Sequence, residues 1–151
     1  MNRKLEELFK TRDNVIYSVK PDTTLKDAVD LMNIHHIGAV MVLNDGGGIE
    51  GLLSERDVMK KLASTDDVVG HLNVKTIMTP KEKLIMIEGD EKIIKIMEIM
   101  TEKKIRHLPI VNSEGVLHGL LSMRDIFRLL LKDARQEVND MKNYVTGKYP
   151  A

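Results

Sequence analysis

The sequence predicts an α+β fold made of two β-α-β-β-α repeats, and three observations carry that prediction. An octet is written twice, as Gly51-Leu52-Leu53-Ser54-Glu55-Arg56-Asp57-Val58 and as Gly119-Leu120-Leu121-Ser122-Met123-Arg124-Asp125-Ile126, 68 residues apart. The same offset pairs Thr11 with Thr79, Asp22 with Asp90, Met32 with Met100, Ile37 with Ile105, Asn44 with Asn112, Gly47 with Gly115 and Leu62 with Leu130, without a gap. The order of apolar runs and turn residues is also the same in both copies. An internal duplication of this kind sets the architecture before any single motif is read.

Taken in order, residues 1–10 place Leu5, Leu8 and Phe9 at helical spacing, which suggests a short amphipathic helix. Residues 15–19 read as a short strand. After Pro21, Asp22-Thr23-Thr24 offers helix caps, and Thr24 with Asp27 fits a capping box, so a helix should run to about His35. The apolar run 39–43, the turn Asn44-Asp45-Gly46-Gly47-Gly48 and the run 49–53 form a hairpin. Ser54 opens a second helix that ends near Leu62. Residues 63–74 look polar and loop-like, and Ile77-Met78-Thr79-Pro80 leads into the second copy. There the strand is expected at 84–87, the helix at 91–103, the hairpin strands at 108–111 and 116–121, and the last helix from Met123. That helix differs from its counterpart because its pattern continues through Leu129-Leu130-Leu131 to about Tyr144, before Gly147 and Pro150. The helix around 92–101 carries Ile93, Ile94, Ile96, Met97, Ile99 and Met100, a wider apolar arc than one buried stripe needs. Either the other repeat of the chain covers part of it and a second subunit the rest, or the long C-terminal helix does the covering.

Composition bounds the function. The chain has 151 residues with 42% apolar content, enough for one core or two small ones sharing a face. Its formal net charge is zero, so no global field draws it to nucleic acid or anionic lipid. Cysteine is absent, which removes disulfides, thiolate metal sites and cysteine nucleophiles and suits a reducing compartment. The start lacks the apolar stretch of a signal peptide, and no run approaches the roughly 20 apolar residues of a membrane span. A cytoplasmic protein is the expectation. Ten methionines against 3% aromatics point to adaptable packing surfaces.

The chemistry-bearing residues are few. Ser54 and Asp57 stand three apart where a strand turns into a helix, so their side chains share its first turn, and Ser122 and Asp125 repeat the arrangement. Read alone, Ser-x-x-Asp is a capping box. His35-His36 suggests a metal only weakly, since no carboxylate joins the pair at ligand spacing. Neither a Gly-x-Ser-x-Gly elbow nor a Gly-x-x-x-x-Gly-Lys loop occurs, which argues against a serine hydrolase and a phosphate-binding loop enzyme. The basic residues at 103–104 and 128–132 lack interleaved aromatics and read as solvated helix faces.

With the two octets, the segment Ile105-Arg106-His107-Leu108-Pro109-Ile110-Val111, the linker Ile77-Met78-Thr79-Pro80 and the gapless repeat, the chain resembles a tandem pair of CBS (cystathionine-beta-synthase-type) domains, a Bateman module, over about residues 8–132. The resemblance divides the chain into repeats at 8–67 and 75–132 with a C-terminal helical extension at 133–151. It implies two units packed sheet to sheet about a pseudo-two-fold, often as a disc-like homodimer, with clefts that bind adenine nucleotides or related adenosyl ligands for regulation and without catalysis. By the same resemblance, one cleft combines Ser54 and Asp57 with Thr79, Leu84, Ile105, Arg106, His107 and Pro109, and the other combines Ser122 and Asp125 with Thr11, Ile16, Ile37, Gly38 and Ala39. The octet arginines Arg56 and Arg124 belong to the same sites. The acid would hold the ribose, apolar residues the adenine, and Arg106 with His107 the phosphate. Gly38-Ala39 stands where the other copy has Arg106-His107, so the two sites should be unequal, with His35 and His36 compensating only if the loop directs them inward.

The expectation is therefore a regulatory module for AMP, ADP, ATP, NAD(H) or S-adenosylmethionine, with no catalytic cofactor, no metal, no nucleic acid and no membrane. The regulated protein would be a separate, unidentified chain. The rival expectation is a structural adaptor that dimerises and docks a partner through the same repeats without binding a ligand.

Overall fold

The structure is a computed structural model that describes residues 4–6 and 15–147. The expected helix over 1–10 falls mostly outside these, as does Thr11. Within it, Leu5 is buried and its amide donates to the Glu91 carbonyl at 3.0 Å. By contacts the chain forms two units, a larger one from Asp13–Gly89 with Leu108–Leu120 and a smaller one from Met1–Arg12, Asp90–His107 and Leu121–Ala151.

The larger unit is built on a four-stranded sheet in the order β1-β2-β3-β4, with β1 at Ser18–Val19, β2 at Ala39–Leu43, β3 at Ile49–Ser54 and β4 at Thr79–Pro80. Strand β1 is parallel to β2, and β3 is antiparallel to both of its neighbours. The strand expected over 15–19 is shorter than its apolar run, because only Ser18 and Val19 find register partners on β2. Helix α1, Leu25–Ile34, starts where the Thr24 hydroxyl accepts from the Asp27 amide at 3.2 Å. Its free first-turn amides are met by the stretch that had looked like an open loop. Leu25 donates to the Leu72 carbonyl at 2.8 Å and Lys26 to the Gly70 carbonyl at 3.0 Å. That stretch also buries Val69 and Val74, and Val74 begins a 3₁₀ turn, Val74–Thr76.

Both faces of the sheet are apolar, as the unbroken run 39–43 requires. One face packs Val40, Val42 and Leu53 with Leu25, Ala28 and Met32 of α1. The other carries Ala39, Met41, Ile49 and Leu52, covered by Ile16, Leu43, Leu84, Met86, Val111, Leu117 and Leu120. A bulge beside Val42 and Leu43 pairs Leu43 with Ile49, which turns Ile49 onto the Met41 face instead of the Leu53 face. Val111, Leu117 and Leu120 belong to the second repeat, so one apolar face of the sheet is covered by strands of the other copy. This is the expected sheet-to-sheet packing, and it is why residues 108–120 group with the first repeat.

The second sheet has the order β5-β6-β7, with β5 at Ile87–Glu88, β6 at His107–Val111 and β7 at Leu117–Ser122. The strand expected at 84–87 is displaced, because a 3₁₀ turn at Lys81–Lys83 precedes it and only Ile87 and Glu88 pair with Ile110 and Val111. Helix α2, Glu55–Ala63, follows β3. The smaller unit holds α3, Ile93–Lys103, and α4, Met123–Val145, which pack on one another and bury Ile93, Ile96, Met100 and Ile126. On α3, Ile94 remains exposed. Among the described residues, no helix is long and apolar enough to cross a membrane.

The duplication extends to individual hydrogen bonds. Each first helix ends in a left-handed residue, His36 at φ 52° and Lys104 at φ 54°. In both, the next amide closes back over five residues, from Ile37 to the Met32 carbonyl and from Ile105 to the Met100 carbonyl, each at 3.0 Å. In the hairpins, Asn44 Oδ1 accepts from the Gly48 amide at 2.8 Å and Asn112 Oδ1 from the Val116 amide at 2.9 Å. Gly47 and Gly115 take φ of +81° and +78°, which only glycine adopts without strain.

Candidate functional site

Each octet places its serine as the last strand residue and its aspartate in the first helical turn. At α2, the Ser54 amide and hydroxyl both donate to Asp57 Oδ2 at 2.9 Å, and the Asp57 amide donates back to Ser54 Oγ at 3.3 Å. At α4, Ser122 makes the same pair of contacts to Asp125 Oδ2 at 2.8 and 2.6 Å, with the return bond at 3.3 Å. Both are complete capping boxes. The first helical amides are tied to the hairpin entry of the same repeat, Glu55 to the Gly38 carbonyl and Met123 to the Arg106 carbonyl, both at 2.9 Å.

The capping role does not exhaust Asp57. Its second oxygen, Oδ1, accepts from Thr79 Oγ1 at 3.3 Å, and a carboxylate oxygen has two lone pairs to offer. Asp57 is half-buried, whereas Asp125 is 8% exposed. Thr79 reaches Asp57 because β4 adds to the edge of β3, with Leu52 opposite Thr79 and Gly51 opposite Pro80. The linker was not expected to be a strand. The signal for it was Gly51, where a Cβ would stand 2.5 Å from the Thr79 carbonyl oxygen and 2.7 Å from Met78 Sδ. Only glycine lets the linker lie this close.

Of the residues assigned to the first cleft, Ser54, Asp57, Thr79 and Leu84 share the larger unit, and the first three form one hydrogen-bonded cluster. Leu84 packs on the face of Ala39, Met41, Ile49 and Leu52. Ile105, Arg106 and His107 belong to the smaller unit, where Arg106 is exposed and His107 half-buried, and Pro109 is a fully buried residue of β6. Of the second set, Ile16, Ile37, Gly38 and Ala39 lie in the larger unit and Ser122, Arg124 and Asp125 in the smaller. Ile16 packs on the same apolar face as Leu84. Arg56 and Arg124 are exposed on the first turns of their helices. His35 is exposed and stacks on Tyr17 with ring centroids 4.0 Å apart, and His36 is the exposed left-handed residue closing α1.

The CBS domain model matches residues 6–64 and again 74–132, so the two matches follow the two copies of the octet and together take in most of the chain. The chain belongs to the CBS-domain family. Among CBS-domain relatives, the mitochondrial CBS domain-containing protein CBSX3 of Arabidopsis thaliana is 32% identical over 130 residues, which is 85% of this chain, and this chain spans 63% of its length. Among solved structures, a putative signal-transduction protein with CBS domains from Burkholderia ambifaria superposes with a TM-score of 0.79 at 30% identity, covering 87% of this chain and 96% of that one. The CBS domain protein PAE2072 from Pyrobaculum aerophilum, solved in complex with AMP, has a TM-score of 0.68 at 22% identity, over 82% of this chain and 89% of that one. At that identity the likeness is one of fold.

Proposed function

We propose that this CBS pair is a regulatory module that binds an adenine nucleotide, AMP first among AMP, ADP, ATP, NAD(H) and S-adenosylmethionine, and that it carries out no catalysis. The observation that carries the reading is Asp57, whose Oδ2 is taken up by the helix cap while Oδ1, beside Thr79 Oγ1, keeps acceptor capacity for a ribose hydroxyl. Membership of a family that includes an AMP-bound protein supports the choice of ligand. Ser54, Arg56, Thr79, Leu84, Ile105, Arg106, His107 and Pro109 complete the first site. The second, from Ser122, Arg124, Asp125, Thr11, Ile16, Ile37, Gly38 and Ala39, lacks the Arg106-His107 equivalent and takes charged nucleotides less well. Functional repeats at 8–67 and 75–132, an extension at 133–151, a homodimer, a cytoplasmic setting and a separate regulated protein complete the proposal.

Thermal denaturation against the panel of nucleotides tests it. A ligand at about one hundred times its dissociation constant adds roughly 2.7 kcal/mol. For a chain of this size that raises the melting temperature by about 5–11 °C. Asp57→Ala removes the response of the first site, and 2′-deoxy-AMP binds more weakly than AMP to the parent. Unchanged AMP binding by Asp57→Ala rejects the role of the carboxylate. A second reading, an adaptor that binds partners and no ligand, is favoured by the exposed Met59 and Leu62 on α2, and it predicts no shift with any nucleotide.

A further inference from the structure

Helix α4 continues to Val145, whereas its counterpart α2 stops at Ala63. At 23 residues it is about 34 Å long. From Ala134 onward every described residue is exposed. A solvated helix of this length should be polar all round. Instead Phe127, Leu131, Ala134, Val138, Met141 and Val145 follow one another at spacings of four and three in strict alternation. That is the d-a-d-a-d-a pattern of a heptad, a period of 3.5 that a helix adopts to keep one seam against another helix. The larger members are open to water, with Phe127 59%, Leu131 57%, Met141 70% and Val145 82% exposed.

We propose that residues 127–145 of α4 pair with the same segment of a second copy as a short, parallel, two-stranded coiled coil. The charges beside the seam select this occupant and its direction. One flank, the e positions, is basic throughout, with Arg128, Arg135 and Lys142, while the other flank, the g positions, carries Leu130, Glu137 and Tyr144. Antiparallel pairing of two copies sets e against e and brings these like charges together. Parallel pairing sets each g against the e five residues on in the other copy, so Glu137 faces Lys142 of the second copy and the reverse holds by symmetry. Of the a positions Leu131, Val138 and Val145, the last two are β-branched, which favours two strands over three. Because the helix is nucleated by the Ser122–Asp125 box and held by buried Ile126, pairing does not have to form it. The seam is shorter than three heptads, so association depends on concentration. The inference stands apart from the ligand reading.

The absence of cysteine makes the test direct. In the full chain, Met141→Cys meets itself in a parallel pair at a separation a disulfide can bridge, while Gln136→Cys, on the opposite face, does not. Under mild oxidation Met141→Cys forms disulfide-linked dimer about tenfold faster than Gln136→Cys or more. Val138→Glu with Met141→Glu raises the concentration needed for association by about tenfold or more in sedimentation. Its circular dichroism and any nucleotide-induced melting shift stay at the parental level, which separates failure of this inference from failure of the ligand reading. Equal cross-linking at the two positions overturns the proposal, as does association that ignores the double substitution or a parent that is monomeric at every concentration. Faster cross-linking between Leu131→Cys and Met141→Cys chains than of either with itself shows an antiparallel pair, in which a positions face d positions, and overturns it too.

Discussion

Adding one methyl group at Gly51 tests how the fold delivers Thr79 to the candidate site. In Gly51→Ala the new Cβ would stand 2.5 Å from the Thr79 carbonyl oxygen and 2.7 Å from Met78 Sδ. The methionine can swing away, but the carbonyl is backbone, and it is paired across the β3–β4 edge where Gly51 faces Pro80. Relief therefore requires β4 to shift outward, and crowding of this kind costs about 1–3 kcal/mol. For a protein of this length each kcal/mol lowers the melting temperature by about 2–4 °C, so a fall of about 2–12 °C is expected. The same shift carries Thr79 Oγ1 away from Asp57 Oδ1, which are 3.3 Å apart in the native arrangement. Nucleotide-induced stabilisation should therefore drop along with basal stability. Gly89→Ala is the control, because nothing lies within 4 Å of its Cβ position, and by restricting the unfolded chain without a clash it should melt about 1–4 °C above the parent. The assay is thermal denaturation followed by circular dichroism, with and without AMP. If Gly51→Ala melts with the parent, β4 does not lie where the close approach of Gly51 places it, and the delivery of Thr79 must be explained differently.

Two further outcomes follow from the caps. Ser54→Ala and Ser122→Ala each remove the side-chain half of a capping box and should cost about 1 kcal/mol, or about 2–4 °C, read by the same melts. Equal losses are expected from near-identical geometry, and no loss at either site would show that the boxes add nothing to stability. His36→Gly works in the opposite direction. Its left-handed φ of 52° strains a non-glycine residue by about 1–2 kcal/mol, and the greater freedom of glycine in the unfolded chain offsets about half of that. A rise of about 1–4 °C is the expected result, and a fall would mean that the exposed imidazole contributes more than the strain it imposes.

Much of this architecture was readable from the residues because the chain states it twice. An offset that holds for Asn44 and Asn112, or Gly47 and Gly115, transfers a turn from one copy to the other with its hydrogen bonds. The capping boxes were readable because Ser-x-x-Asp sits at a strand-to-helix junction, where local chemistry decides the conformation. Edge strands were less legible. The run 15–19 is apolar along most of its length, yet only Ser18 and Val19 pair, because strand length is set by the partner and not by propensity. Thr79–Pro80 carries no strand pattern and becomes one only because Gly51 leaves room beside β3. The stretch 63–74 is polar in composition, but Val69 and Val74 are buried and its carbonyls close the start of α1, a use of loop backbone that no side-chain pattern encodes. For the site, the spacing of Ser54 and Asp57 showed a polar pair. That Thr79 joins it was implied by the family resemblance and not by the residues alone.

The second apolar face of the four-stranded sheet has a consequence for how such a chain can be divided. Ala39, Met41, Ile49 and Leu52 are covered in part by Val111, Leu117 and Leu120, which the chain reaches only after some sixty further residues. A fragment ending before those residues would leave a greasy plane facing solvent, and the surface best shaped to cover it would be the same plane on another fragment. Tandem copying in one polypeptide makes that meeting intramolecular, so neither half has to find its mate by diffusion.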